Sequence, residues 1–253
     1  MNRNILITAG AGGIGLEIAK AFAEINDRVY VCDIDETALE NLNQIIPNVV
    51  TGICDVSDRE SVEKMVAHCA ESLGGIDVLV NNAGIAGPTA PVEEIDPDAW
   101  EKVMQVDING TFNVTRCSIP HLKKSKAGVI LTMSSLAGRF GYENRSPYAT
   151  AKWGLIGFAK TLALELGKYN IRSNAILPGA VAGPRIEKVL QGRADANNTT
   201  FEQEKENAMF IQSIKDFVDP KDIAALAVFL ASDHAKMISG QIFPIDGDAK
   251  SAS

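Results

Sequence analysis

The sequence predicts one α/β domain: a doubly wound, mostly parallel seven-stranded sheet with helices on both faces. Three observations predict it. Strand-like and helix-like segments alternate from the first residues onward. The strand candidates are near-continuous apolar runs, as expected when both faces of a strand are covered. The chain has 253 residues, which suits a single domain, and right-handed crossovers then wind the sheet on both sides.

The elements follow in order. Residues 5–8 form a short apolar run that ends in glycines. Over 13–25, Ile14, Ile18, Ala21, Phe22 and Ile25 recur at helical spacing. Residues 28–33 are strand-like, and 35–46 are helical until Pro47 stops the helix. Strands at 49–54 and 78–81 flank a helix at 58–72. A long helical stretch covers 100–121. Then come a strand at 129–133, a helix at 148–166, a strand at 171–176, a helix at 220–231 and a final strand at 241–245. Residues 183–217 break the rhythm, with helical composition interrupted by the polar run 197–200. They read as an insertion within a single domain spanning 1–253. The insertion starts at a strand's carboxyl end, where open α/β sheets bind ligands, so it is expected to cover a substrate.

Composition excludes several function classes. The chain is 46% hydrophobic and 22% charged, with a net charge of −8. No basic stripe suited to nucleic acid is present; Lys123, Lys124 and Lys126 read as a solvated helix end. No stretch of about 18 apolar residues offers a membrane span. Cys32, Cys54, Cys69 and Cys117 form no CxxC pair, and the three histidines lack ligand spacing. No metal site is expected, and free thiols suit a reducing, cytoplasmic setting.

The first strand runs into Thr8-Ala9-Gly10-Ala11-Gly12-Gly13-Ile14-Gly15. Glycines let the backbone approach a ligand closely. The helix that follows directs free N–H groups and its positive end at the loop, which suits a pyrophosphate. This placement, after a strand and opening a helix, is that of a Rossmann-type dinucleotide site formed by Gly10, Gly12, Gly13, Ile14 and Gly15. Asp33, about 20 residues on, is suited to accept hydrogen bonds from an adenosine ribose. It repels a 2′-phosphate, and no Arg or Lys follows it directly, so NAD is favoured over NADP. Asp55, with Val56 beside it, ends the third strand at the expected adenine edge. Asn81-Asn82-Ala83-Gly84 ends the fourth with small residues that let the chain pass the cofactor.

Tyr148 and Lys152 stand four residues apart, one helical turn, on one face. A free phenol has a pKa of about 10, and a neighbouring cation lowers it toward the range useful for proton transfer. Ser134 and Ser135 close the fifth strand, where a hydroxyl would meet a reacting carbonyl oxygen. Arg145 and Arg185 flank this constellation from opposite sides and suggest a bidentate clamp on an anionic, hydroxy-acid-like substrate.

Taken together, the Thr8–Gly15 loop, Asn81-Asn82-Ala83-Gly84, Ser135, Tyr148-x-x-x-Lys152, Pro178-Gly179 and Gly240-Gln241…Asp246-Gly247 resemble the short-chain dehydrogenase/reductase superfamily over essentially the whole chain. The resemblance implies that Tyr148 is the acid/base and that Ser135 rather than Ser134 orients substrate. It implies that Lys152 lowers the tyrosine pKa and binds the nicotinamide ribose, with Pro178, Gly179 and the Val181 backbone beside the carboxamide. The implied reaction is NAD-dependent interconversion of a secondary alcohol and a ketone, by a two-fold symmetric homotetramer. Three departures stand out. Ala9 replaces the first loop glycine, Asp107 replaces an asparagine of the proton relay, and Gly183 replaces a threonine after Pro178-Gly179. Alternatives are a cofactor-binding regulator without chemistry, an NADPH-dependent 3-oxoacyl-type reductase, an S-adenosylmethionine methyltransferase and a sugar-nucleotide epimerase.

Overall fold

A computed structural model describes residues 2–252. The helix and strand order follows the sequence pattern closely: β1 (Asn4–Thr8), α1 (Gly13–Glu24), β2 (Arg28–Asp33), α2 (Glu36–Ile45), β3 (Val50–Ile53), α3 (Arg59–Leu73) and β4 (Val78–Asn81). Then come α4 (Pro97–Val103), α5 (Thr111–Leu122), β5 (Val129–Met133), α6 (Ser146–Leu166), β6 (Arg172–Pro178), α7 (Pro184–Asn197), α8 (Phe201–Phe210), α9 (Pro220–Ala231) and β7 (Ile242–Ile245).

All seven strands pair in parallel, in the order β3-β2-β1-β4-β5-β6-β7. The direction of winding reverses between β1 and β4. A crevice opens at such a switch point, above the strands' carboxyl ends. Successive side chains point to opposite faces of a strand, so each strand feeds two cores. Ile5 and Ile7 pack with Phe22 of α1 and Ile223 of α9, while Leu6 between them packs with Val62 of α3 and Val114 of α5.

The stretch 100–121 differs from one continuous helix. It starts earlier, at Pro97, because Asp96 caps the first turn by accepting from the Asp98 N–H at 2.9 Å. Between α4 and α5, residues Met104–Gly110 form a π-helical segment. The extra residue in its turn brings Asp107 inward, where Oδ1 accepts the Ile85 N–H at 2.7 Å. Gly110 lies close against Val56: a Cβ there would stand 2.7 Å from Val56 Cγ2.

The segment after β6 folds into α7 and α8, joined at the polar run. Asn198 adopts a left-handed φ of 53° that ends α7. Thr200 and Gln203 form a capping box that starts α8. The ends of the segment are held together by Ala182 N–H to Val218 O (3.0 Å) and Val218 N–H to Ala180 O (2.8 Å). Among the described residues no helix is long and apolar enough to cross a membrane.

Candidate active site

A cavity of about 390 Å³ opens over the switch point. Gly12, Gly13 and Ile14 line it on one side, with Asp33 at the end of β2. Ser135, Tyr148 and Lys152 line the other side, and Pro178, Gly179 and Val181 lie above β6.

The glycine loop is shaped by its neighbours. A Cβ on Gly15 would stand 2.3 Å from the Ala9 carbonyl and 2.6 Å from Asn82 Nδ2, so only glycine fits there. Asn82 fastens the loop, its Nδ2 donating to the carbonyls of Thr8 (3.1 Å) and Ala9 (2.9 Å). The Thr8 hydroxyl in turn accepts the N–H groups of Asn82 and Ala83, each at 3.0 Å. Ala9 carries a left-handed φ of 49°, a conformation that costs a non-glycine residue about 1–2 kcal/mol. The loop therefore keeps its course with alanine in place of the first glycine. Gly12 and Gly13 face open space on the cavity side. This cradle, ahead of the free N–H groups of α1, fits a dinucleotide pyrophosphate.

Asp33 is fixed at the far end of the cavity. Its Oδ2 accepts the Ala11 N–H (3.1 Å), and its Oδ1 accepts from Ile34 (2.8 Å) and Asp35 (3.2 Å). Gly84, Asn82, Lys152 and Tyr148 also lie in the wall. Gly10, Gly15, Asp55, Val56 and Ala83 do not line the cavity. Gly10 packs on Val31 and Gly15 beneath the loop. The Asp55 carboxylate accepts from the Ser57 N–H and hydroxyl (2.9 and 2.6 Å).

The two serines after β5 separate. Ser134 is buried, and its hydroxyl donates to the Lys152 carbonyl at 2.7 Å. Ser135 caps the next turn, accepting the Ala137 N–H at 3.2 Å, and its hydroxyl also hydrogen-bonds Tyr148. Burial pushes the Tyr148 pKa up. The Lys152 ammonium, the Arg185 guanidinium and the Ser135 hydrogen bond push it down, and the balance lies below the ordinary tyrosine value. Asp107 opposes that lowering. It is fully buried, with Oδ2 3.3 Å from Lys152 Nζ, outside the cavity wall. Lys152 Nζ also donates to the Met133 carbonyl at 3.3 Å.

The two arginines differ. Arg185, at the first turn of α7, is exposed at the rim and donates to the Gly84 carbonyl at 3.1 Å. Arg145 is buried. It donates to the Ala86 carbonyl at 2.8 Å and lies 5.2 and 5.1 Å from the ring centroids of Tyr142 and Tyr148. Among the cavity residues that escaped the sequence reading are Arg193 and Val189 of α7, and Gln212 just past α8. The first two were signalled by their spacing from Arg185, since positions 185, 189 and 193 share one helix face. No residue-level pattern announced Gln212.

Comparison with known proteins agrees with this geometry. A family described as enoyl-(acyl carrier protein) reductase matches residues 9–248. D-beta-hydroxybutyrate dehydrogenase from Cupriavidus necator is 33% identical over 250 residues, covering 97% of this chain and 96% of that protein. The crystal structure of NAD+-bound xylitol dehydrogenase superposes with a TM-score of 0.94 at 28% identity, covering 97% of this chain and 98% of that one. An actinorhodin polyketide ketoreductase variant with NADPH superposes with a TM-score of 0.93 at 29% identity, covering 97% and 96%. The profile match, the full-length similarity and the shared fold together make the chain a member of the short-chain dehydrogenase/reductase superfamily, and so one of the oxidoreductases.

Proposed function

We propose that the protein is an NAD-dependent dehydrogenase that interconverts a secondary alcohol and a ketone, acting on an anionic, hydroxy-acid-like substrate. The observation that carries this reading is Tyr148, held in the cavity wall by Ser135 and Lys152 with its pKa below the ordinary tyrosine value. In the oxidising direction the Tyr148 phenolate takes the alcohol proton, while the Ser135 hydroxyl orients the same oxygen. Lys152 stabilises the phenolate through its charge, and Asp107 holds the ammonium in place from beneath. A bound nicotinamide supplies hydride acceptance and donation. In the reducing direction Tyr148 returns the proton as oxygen develops negative charge.

The glycine loop, Asn82, Gly84, Lys152, Pro178, Gly179 and the Val181 backbone would hold the dinucleotide. Asp33 favours NAD: its carboxylate faces the adenosine end, and Ile34, exposed and uncharged, follows it. The NADPH-bound ketoreductase relative supports a second reading, an NADPH-dependent 3-oxoacyl-type reductase. The hydroxybutyrate dehydrogenase relative, and the positive charge that Arg145 and Arg185 bring to the wall, support an acid substrate. We further read the protein as cytoplasmic and homotetrameric, with α7 and α8 covering the substrate within one domain.

Steady-state kinetics test the reading. Tyr148→Phe removes one hydroxyl, so the fold and NADH binding should persist while kcat falls by about 10²-fold or more. Near-normal turnover by the folded variant overturns the assignment. Wild-type kcat/KM should be higher with NAD than with NADP, and the reverse order selects the second reading.

A further inference from the structure

The protein is acidic overall, yet the charged residues of the cavity wall are Lys152, Arg145, Arg185 and Arg193 against one acid, Asp33. Asp33 sits at the glycine-loop end. The tyrosine end is therefore cationic. Among the described residues, no carboxylate lies within ion-pair distance of the three arginines. A half-buried cation without a counter-ion is unfavourable unless a ligand supplies one.

The three guanidiniums do not play one part. Arg145 is buried behind Tyr142 and Tyr148 and engaged by the Ala86 carbonyl, so it braces the rings. Arg193 is half-buried and, among the described residues, makes its hydrogen bond to the Tyr142 hydroxyl. Its guanidinium lies 5.0 Å from the Tyr142 ring centroid, and Tyr142 stands edge-on to Tyr148 at 6.4 Å. Arg193 thus approaches the reacting tyrosine through one intervening ring. Arg185, two turns earlier on the same helix face, acts on Tyr148 directly through its charge.

We propose that Arg193 is the specificity-determining residue of this site and, with Arg185, takes the carboxylate of a short hydroxy or oxo acid. This rests on the dehydrogenase reading above. A planar, fixed fork suits carboxylate recognition, and two of them on one face of α7, two turns apart, supply both charge and direction. The substrate this fits is a small hydroxy or oxo acid whose reacting carbon meets Tyr148 while its carboxylate points toward α7.

The test compares a short 3-hydroxy acid with its methyl ester, in wild type, Arg193→Ala, Arg193→Lys and, as an outside control, Arg139→Ala. Arg139 pairs with Asp246 at 3.4 Å and lies off the cavity wall. The acid-to-ester ratio of kcat/KM should fall by about 10- to 150-fold in Arg193→Ala. It should recover in part with lysine and stay at the wild-type value in Arg139→Ala. The 3-hydroxy acid is also titrated into each protein–NADH complex, followed by nucleotide fluorescence. If wild type turns over neither compound, the hydroxy-acid part of the dehydrogenase reading fails, yet the titration still reads the anion site: wild type should bind the acid and Arg193→Ala should not. An unchanged ratio in folded Arg193→Ala, equal loss on acid and ester, or weaker binding of NADH itself overturns the proposal.

Discussion

At the scale of single residues, Asp107 stands where the family resemblance implies an asparagine. A buried carboxylate stands beside the lysine that tunes Tyr148, and its charge works against that tuning. Replacing it with asparagine should keep an acceptor for the Ile85 N–H, now made at 2.7 Å, while removing the charge. The acid limb of the alcohol-oxidation profile, set by ionisation of Tyr148, should then move to lower pH. The sign follows directly: a cause that raises the tyrosine pKa has been deleted, so the phenolate forms earlier as pH rises. The ion pair lies almost entirely out of water, so its loss should also lower stability by about 1–3 kcal/mol. A pH profile identical to wild type would reduce Asp107 to a purely structural acceptor. The substitution itself was visible in Val106-Asp107-Ile108-Asn109-Gly110. The ion pair was not, because it depends on a π turn that no local pattern in that stretch announces.

At the scale of elements, the glycine loop makes two separable demands. Gly15 is required by packing: a Cβ would meet backbone and Asn82 inside 3 Å. Gly12 is different, with extended backbone (φ −153°) and open space before it on the cavity side. Gly15→Ala should therefore cost about 1–3 kcal/mol in chemical denaturation and weaken NADH. Gly12→Ala should leave the denaturation midpoint within about 0.5 kcal/mol of wild type yet still weaken NADH, since its methyl enters the cofactor cavity. Equal stability of both variants would mean that the loop relaxes and that the fit is not tight. This loop was legible in sequence because its requirement is local: a strand, a tight turn, a helix. The strands were legible for a related reason, since burial on both faces leaves continuous runs such as Val129–Met133. The α7–α8 segment was less so. Its two helices depend on a capping box at Thr200 and Gln203 that composition alone had blurred into one polar interruption. Helical spacing from Arg185 marked the face of Arg193, but its contact with Tyr142 was hidden, because Tyr142 comes from the turn before α6, far away in the chain.

At the scale of the whole molecule, α6 presents a surface that its own chain does not cover. Trp153 is 52% exposed and Leu164 86%, eleven residues apart and so on one helix face. Exposed Gly154 and Gly157 between them carry no side chain to hold a partner away, and Phe112 on α5 is 48% exposed. A helix face of this kind, apolar at both ends with Lys160 and Thr161 between, is suited to a two-fold axis, where the same surface meets itself. A stable isologous contact buries about 800 Å² on each partner. The neighbouring face of α5, which carries Phe112, is expected to join it. Light scattering at micromolar concentration should give about four times the 27.0 kDa chain mass. Leu164→Glu inserts a charge into the ridge, where pairing would desolvate it without a partner. It should lower the measured mass and the melting temperature together, whereas Leu164→Met, similar in size and polarity, should preserve both. A wild-type monomer would remove the assembly reading. Assembly that persists in Leu164→Glu would move the interface away from α6.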